Sequence, residues 1–165
     1  MTIFYRPLGT SSSRPEWWET NLSLAYEYAR RGTCLRGQNG AIIVTPGNRP
    51  LSLGYNGAPR GQDHCVEVGC RIGKDGSCIR AVHAEINAII NAAAHGSRTE
   101  GGELFSTHRP CLRVCAPAII NAGIVRVVWN EPYQTDGAEA DVIAMFRISG
   151  VLVQKVEEGR LATLV

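Results

Sequence analysis

Long hydrophobic runs are missing from this chain of 165 residues, and so is any block of like charge. Lys and Arg total 17 against 15 Asp and Glu, a formal net charge of +2. A protein that holds long nucleic acid needs concentrated basic surface to neutralise phosphates, so this balance argues against that role. Nothing approaches the roughly 20 apolar residues of a membrane-spanning helix. The opening stretch MTIFYRPLGTSSSRPEWW also lacks an apolar core of signal-peptide length. The expectation is a cytoplasmic protein with neither a membrane nor a long nucleic acid as partner. Internal repeats are absent too, which leaves one domain rather than an array. Apolar residues make up 44% and charged residues 19%, enough to build an ordinary globular core at this length.

What the chain does have is cysteine, six in all. In a reducing compartment, clustered cysteines point to metal binding or catalysis more than to disulfides. Three of them, Cys65, Cys70 and Cys78, crowd a segment rich in Gly, Asp and His. Six incidental buried thiols would not be expected to gather this way.

The chain divides into a flexible arm over 1–14 and a single domain over 15–165. A helix is expected with Pro15 in its first turn, acidic Glu16 and Glu19 nearby, and Arg30-Arg31 before Gly32 at its end. Trp18, Leu22, Ala25, Tyr26 and Ala29 share one face of it, ready to pack on a sheet. GAIIVT (40–45) and PLSLGYN (50–56) read as an antiparallel hairpin. Residues 57–80 carry too much Gly, Asp and Cys for regular structure, and a loop of that length in a compact domain suggests function. AVHAEINAIINAAAHG (81–96) is a strong helix stopped by Gly96. From residue 103 the order is strand, helix, strand, helix around 138–149, and strand VLVQKV (151–156). Alternation of this kind implies right-handed crossovers and a parallel half-sheet. The expected architecture is a three-layer α/β/α fold on a mixed five-stranded sheet, antiparallel in the N-terminal hairpin and parallel in the C-terminal half.

Two short stretches carry the chemistry. In VHAEIN (82–87), His83 and Glu85 are two apart at a helix start, so they do not stack on one helical face. Downstream, RPCLRVC (109–115) places Pro110-Cys111 and then Cys115 before another helical run. A histidine with a glutamate two residues on, followed by Pro-Cys and a second Cys, is the zinc-deaminase signature. One imidazole and two thiolates leave a fourth zinc position open for water. The metal lowers that water's pKa and generates hydroxide near neutral pH, which attacks C4 of the base. Glu85 shuttles protons to the ring nitrogen and the departing ammonia. Helix entrances also favour thiolate over thiol at Cys111 and Cys115. Taken singly, His83 reads as a cap, Glu85 as a favourable first-turn charge and the cysteines as small core residues. Together, in this order, they read as a zinc site.

At these residues the chain resembles the deoxycytidylate (dCMP) deaminase family of the cytidine deaminase-like superfamily. TCLRGQNGAIIV, GYNGAPRG, HCVEVGC, CIRAVHAEINAI, LFSTHRPC and IINAGIVRVV all look like that family, in order, over about residues 15–155. The resemblance implies hydrolysis of dCMP to dUMP by a zinc-dependent, cytoplasmic homo-oligomer. It also implies a hexamer, with dCTP and dTTP as effectors. By the same resemblance, GYNGAP marks Gly54, Tyr55, Asn56 and Gly57 as nucleotide or effector contacts, although Asn56-Gly57 alone is a turn signal. Asn39, Asn56, Ala84, Arg109 and Tyr133 are the candidate substrate-binding residues, with Arg113 as a further phosphate candidate. Cys34, Cys65, Cys70 and Cys78, with His64 as an alternate ligand, could close a second, structural zinc site. Alternatives are a deaminase of another cytosine nucleotide, such as dCTP or a base-modified dCMP, and an inactive zinc-stabilised nucleotide-binding relative.

Two departures stand out. Asn39 occupies a position where valine is common in the family. Three residues, rather than two, separate Cys111 from Cys115. On a straight helix the added residue rotates the second thiol by about 100° and lifts it about 1.5 Å. Two thiolates on one zinc need sulfurs only about 3.8 Å apart, from bond lengths near 2.3 Å. Zinc binding is therefore expected to require that Cys111 lie before the helix or that one residue loop out as a π-type bulge.

Overall fold

The computed structural model describes residues 14–74, 76–132, 138–157 and 160–164. Residues 1–13 of the expected arm over 1–14, and Tyr133, lie outside the described residues. Helix α1 (Trp17–Ala29) begins with a capping box in which Glu16 and Glu19 satisfy each other's backbone amides. Its buried side is Asn21, Leu22, Ala25 and Ala29, with Trp18 and Tyr26 half-buried, close to the expected face.

The hairpin forms as expected: β1 (Gly40–Val44) pairs antiparallel with β2 (Pro50–Tyr55). Within the cysteine-rich segment a short helix, α2 (Cys65–Val68), interrupts the loop. Next come α3 (Ala84–Ala94), β3 (Glu103–His108), α4 (Cys115–Asn121), β4 (Arg126–Glu131), α5 (Glu139–Ile148) and β5 (Leu152–Glu157). Strand β3 pairs antiparallel with β1 and parallel with β4, and β4 pairs parallel with β5.

One count changes. Among the described residues the sheet has six strands, in the order β2-β1-β3-β4-β5-β6, not the five expected. The added edge strand β6 (Arg160–Thr163) pairs antiparallel with β5. It is four residues long and has little apolar signal of its own, so pattern alone does not mark it. Leu161 and Leu164 beside it pack on opposite faces of the sheet, which is what fixes it there.

The layers follow from chirality. Strands β3, β4 and β5 advance in one direction across the sheet, so right-handed crossovers put α4 and α5 on the same face. Helix α3 joins them, and this side holds Ala41, Ile43, Ala84, Ala88, Cys111, Cys115, Ile119 and Phe146. Among the described residues, α1 is the helix that covers the other face, against Ile42, Val44, Phe105 and Val128.

The approach of α3 to β2 is unusually close. A Cβ at Gly54 would strike the Ala84 carbonyl and the Ala88 amide, so only glycine fits. The helix also caps the exposed edge of the sheet: Asn87 Nδ2 donates to the Tyr55 carbonyl and Asn91 Nδ2 to the Leu53 carbonyl, both at 2.8 Å. Gly54→Ala must push α3 off the sheet and is expected to cost about 1–3 kcal/mol of stability. Urea unfolding checks this, and an unchanged midpoint would show that the close packing does not matter.

Candidate active site

The site lies where α3 and α4 begin, at the carboxyl end of β3. His83 is the N-cap residue of α3, in extended conformation, yet its ring makes no capping hydrogen bond. The imidazole is thereby left to face the cysteines. Its Nδ1 is 3.1 Å from Cys115 Sγ. Cys111 lies in the turn before α4, and Cys115 is the first residue of that helix. The two sulfurs are 3.5 Å apart, close to the separation two thiolates need on one zinc. The metal-ligand atoms of His83, Cys111 and Cys115 all lie within 4.8 Å of one another.

The long spacer is absorbed before the helix. The Ala116 amide donates to the Cys111 carbonyl at 3.0 Å, a bond spanning five residues that closes a wide turn. The Cys115 amide points at Cys111 Sγ at 3.4 Å. Cys111 is therefore free of helical geometry and can be re-aimed, as the first of the two expected solutions requires. The five-residue bond supplies the π-type character of the second.

Glu85 is 5% exposed and sits inside this cluster. Its Oε2 is 3.7 Å from Cys115 Sγ, and Ser106 Oγ donates to its Oε1 at 3.3 Å. Burial pushes its pKa up, opposed by the nearby His83 charge. Among the sulfurs, hydrogen bonding from Cys115 brings Cys111 down to about 4, with burial opposing and His83 helping. Cys115 moves well above the ordinary thiol value, through its bond to Cys111 and then burial. The Cys111 bond raises His83 against the effect of its burial. The three ligand atoms, one imidazole nitrogen and two sulfurs, belong to groups that carry exchangeable protons when no cation is bound. This donor set fits Zn²⁺, whose binding would release those protons.

The second group is also assembled: Cys65, Cys70 and Cys78 bring their sulfurs within 4.8 Å of one another. Cys65 and Cys78 are 3.7 Å apart. Burial and then the neighbouring cysteines push Cys65 up to about 12. Burial also acts to raise Cys78, but the amides of Arg80 and Ala81 outweigh it and bring the thiol to about 7. Neither Cys34 nor His64 belongs to this group. His64 Nδ1 instead faces Thr33 Oγ1 at 3.1 Å, and His64 caps α2. Metal analysis of the zinc-saturated protein is expected to find a second zinc per chain that Cys78→Ser removes. A single zinc in the unaltered protein would eliminate this site.

The other expected residues separate. Asn56 is 6% exposed, and both ends of its carboxamide are occupied by backbone: Oδ1 accepts from the Asn39 amide at 3.0 Å and Nδ2 donates to the Gly37 carbonyl at 2.8 Å. Asn39 stands beside it, just ahead of β1. Ala84 is fully buried in the first turn of α3. Gly54 is needed for helix packing, and Gly57 bridges to Val82 just before His83. Tyr55 is half-buried, with its carbonyl held by Asn87. Arg109 is only 1% exposed and donates to the Pro110 carbonyl at 3.0 Å, which suits a structural role. Arg113 is exposed.

Two residues escaped the sequence reading. Ser106 holds Glu85, and His108 follows it two positions on along the same strand face. The signal was available: three consecutive polar residues, Ser106, Thr107 and His108, end a largely buried strand just ahead of the Pro-Cys pair.

Comparison with known proteins agrees with this geometry. A family model described as the cytidine and deoxycytidylate deaminase zinc-binding region matches residues 15–131. ComE operon protein 2 of Bacillus subtilis is 38% identical over 144 residues, covering 87% of this chain and 73% of its own length. The deoxycytidylate deaminase of Schizosaccharomyces pombe is 32% identical over 145 residues; the match covers 82% of this chain but only 44% of that protein. Among solved structures, a dCMP deaminase from the cyanophage S-TIM5, in complex with dCMP and dUMP, superposes with a TM-score of 0.73 at 33% identity. That match covers 87% of this chain and 99% of the phage chain. With the His83, Cys111 and Cys115 cluster built around Glu85, the chain belongs to the cytidine and deoxycytidylate deaminase family.

Proposed function

We propose that the chain catalyses hydrolytic deamination of dCMP to dUMP with release of ammonia. The observation that carries this reading is the buried Glu85 carboxylate set among three converging metal ligands. His83, Cys111 and Cys115 would hold zinc, which when bound makes water a nucleophile near neutral pH. In the overall reaction a C4–O bond forms, the C4–N4 bond breaks and the amine leaves as ammonia.

The protein's own residues manage the protons. Glu85, raised by burial, can take a proton from water and hand it to the ring nitrogen and then to the amine. Ser106 fixes the carboxylate's direction by donating to Oε1. Ala41, Ala84 and Ala88 are packed in the apolar core beside the metal ligands, which keeps water from reaching the site from behind.

The same reading extends to a cytoplasmic homo-oligomer, hexameric and responsive to dCTP and dTTP; family membership supports it. No helix among the described residues is long and apolar enough to cross a membrane. Ammonia release measured with dCMP, dCTP, deoxycytidine and single-stranded DNA, with and without dCTP or dTTP, tests the whole proposal. Turnover of dCMP above the others is expected. Preference for dCTP or DNA would transfer the activity to another substrate class.

A further inference from the structure

Asn39 carries an unexplained polar atom. Its Oδ1 is out of solvent and accepts no hydrogen bond. Native proteins rarely leave a buried acceptor unpaired, and those left so call for an explanation.

The strand geometry says which way this residue faces. Gly40 lies against α1, where a Cβ would strike the Ala25 carbonyl. Ala41 and Ile43 lie on the opposite face, in the cluster with Ala84, Cys111 and Cys115. Alternation puts Asn39 on the Ala41 face, the face of the active site. The ladder continues past the strand end, because the Asn56 amide donates to the Asn39 carbonyl at 3.1 Å. In return Asn56 offers its side-chain Oδ1 to the Asn39 amide, while its own carbonyl accepts from Thr33 at 3.1 Å. Asn56 is thus a clasp that fixes the backbone of Asn39. Its carboxamide is held by backbone at both ends, which orients it, with one Nδ2 hydrogen and one Oδ1 lone pair beyond these two bonds.

Depth along the strand identifies the ligand group. Ala41 pairs with Ser106, the residue bonded to Glu85, so this level is that of the reacting C4 and amine. Asn39 lies two residues outward, about 6.8 Å. A pyrimidine ring standing with C4 at Glu85 puts its sugar at that outer level. On dCMP the neutral hydrogen-bond donors are the reacting amine and the sugar 3′-hydroxyl, and only the hydroxyl lies that far from C4. We propose that Asn39 is a specificity-determining residue: its Oδ1 accepts the hydrogen bond of the nucleotide 3′-hydroxyl, and Asn56 positions it. This rests on the deamination reading above. Rotation about the Cβ–Cγ bond, a broad torsion, is all the carboxamide needs to present the oxygen.

The test compares dCMP with its 2′,3′-dideoxy analogue in the unaltered protein, Asn39→Val and Asn39→Asp. The unaltered protein is expected to prefer dCMP by at least about tenfold in kcat/KM, since a site built to bond a hydroxyl rejects the analogue that lacks it. Asn39→Val, similar in size and suited to a strand, should bring the ratio near one by slowing dCMP alone. Asn39→Asp keeps an acceptor and should keep the preference. Calorimetry of dUMP and dideoxy-UMP binding to the same three proteins reads position 39 without catalysis. An unchanged ratio in Asn39→Val, or no preference in the unaltered protein, overturns the inference. If neither nucleotide is deaminated while binding still depends on Asn39 and the hydroxyl, the deamination reading fails and the sugar contact stands. Asn56→Ala should speed amide exchange at 37–39 in the ligand-free protein, a change that a purely ligand-contacting Asn56 would not produce.

Discussion

Replacing Glu85 with glutamine is expected to lower turnover of dCMP by about 10²–10⁴-fold while leaving zinc content unchanged. The two halves of the result have separate causes. Glutamine keeps the shape and can still meet Ser106, which lies 3.3 Å from Oε1, so the pocket should stay folded. It cannot carry a proton, and the reaction must move protons from water to the ring and to the amine. The carboxylate is no ligand in the cluster of His83, Cys111 and Cys115, so metal should remain. Metal analysis and single-turnover kinetics on one preparation check both halves. Retained turnover would show that the proton passes through another group.

Cys115→Ala should have the opposite signature, losing metal and activity together. Cys115 is fully buried and touches each other member of the site: His83 at 3.1 Å, Cys111 at 3.5 Å and Glu85 at 3.7 Å. Loss of even an outer-shell partner costs about 10–100-fold in metal affinity, so loss of a ligand should cost at least that much. The second zinc expected at the Cys65, Cys70 and Cys78 cluster should survive, which makes the loss specific and countable by metal analysis. Full activity with unchanged zinc would mean that the three-residue spacer has taken Cys115 out of the clamp.

How far the sequence went depended on whether a feature is local. His83, Glu85, Cys111 and Cys115 were legible because each sits at an element boundary in a fixed order. The crossovers from β3 to β5 were legible because the hydrophobic period changes from strand to helix and back. Strand β6 was not, because four residues with one leucine among them, and a second just after, fall below any periodic signal. Asn56 was legible as a functional position, but its task was not. Only the folded backbone shows that both ends of its amide hold residues 37–39. Cys34 differs for a related reason: cysteine count suggested a fourth ligand, whereas among the described residues the converging group is Cys65, Cys70 and Cys78. The spacer between Cys111 and Cys115 was posed by the sequence and answered by one backbone bond, from the Ala116 amide to the Cys111 carbonyl.

The most direct measurement is the reaction of the zinc-saturated protein with dCMP in ¹⁸O-labelled water, following the product by mass and the ammonia by assay. The account predicts dUMP carrying solvent oxygen at C4 and ammonia in equal amount. Unreacted dCMP, or dUMP formed without solvent oxygen, would contradict it.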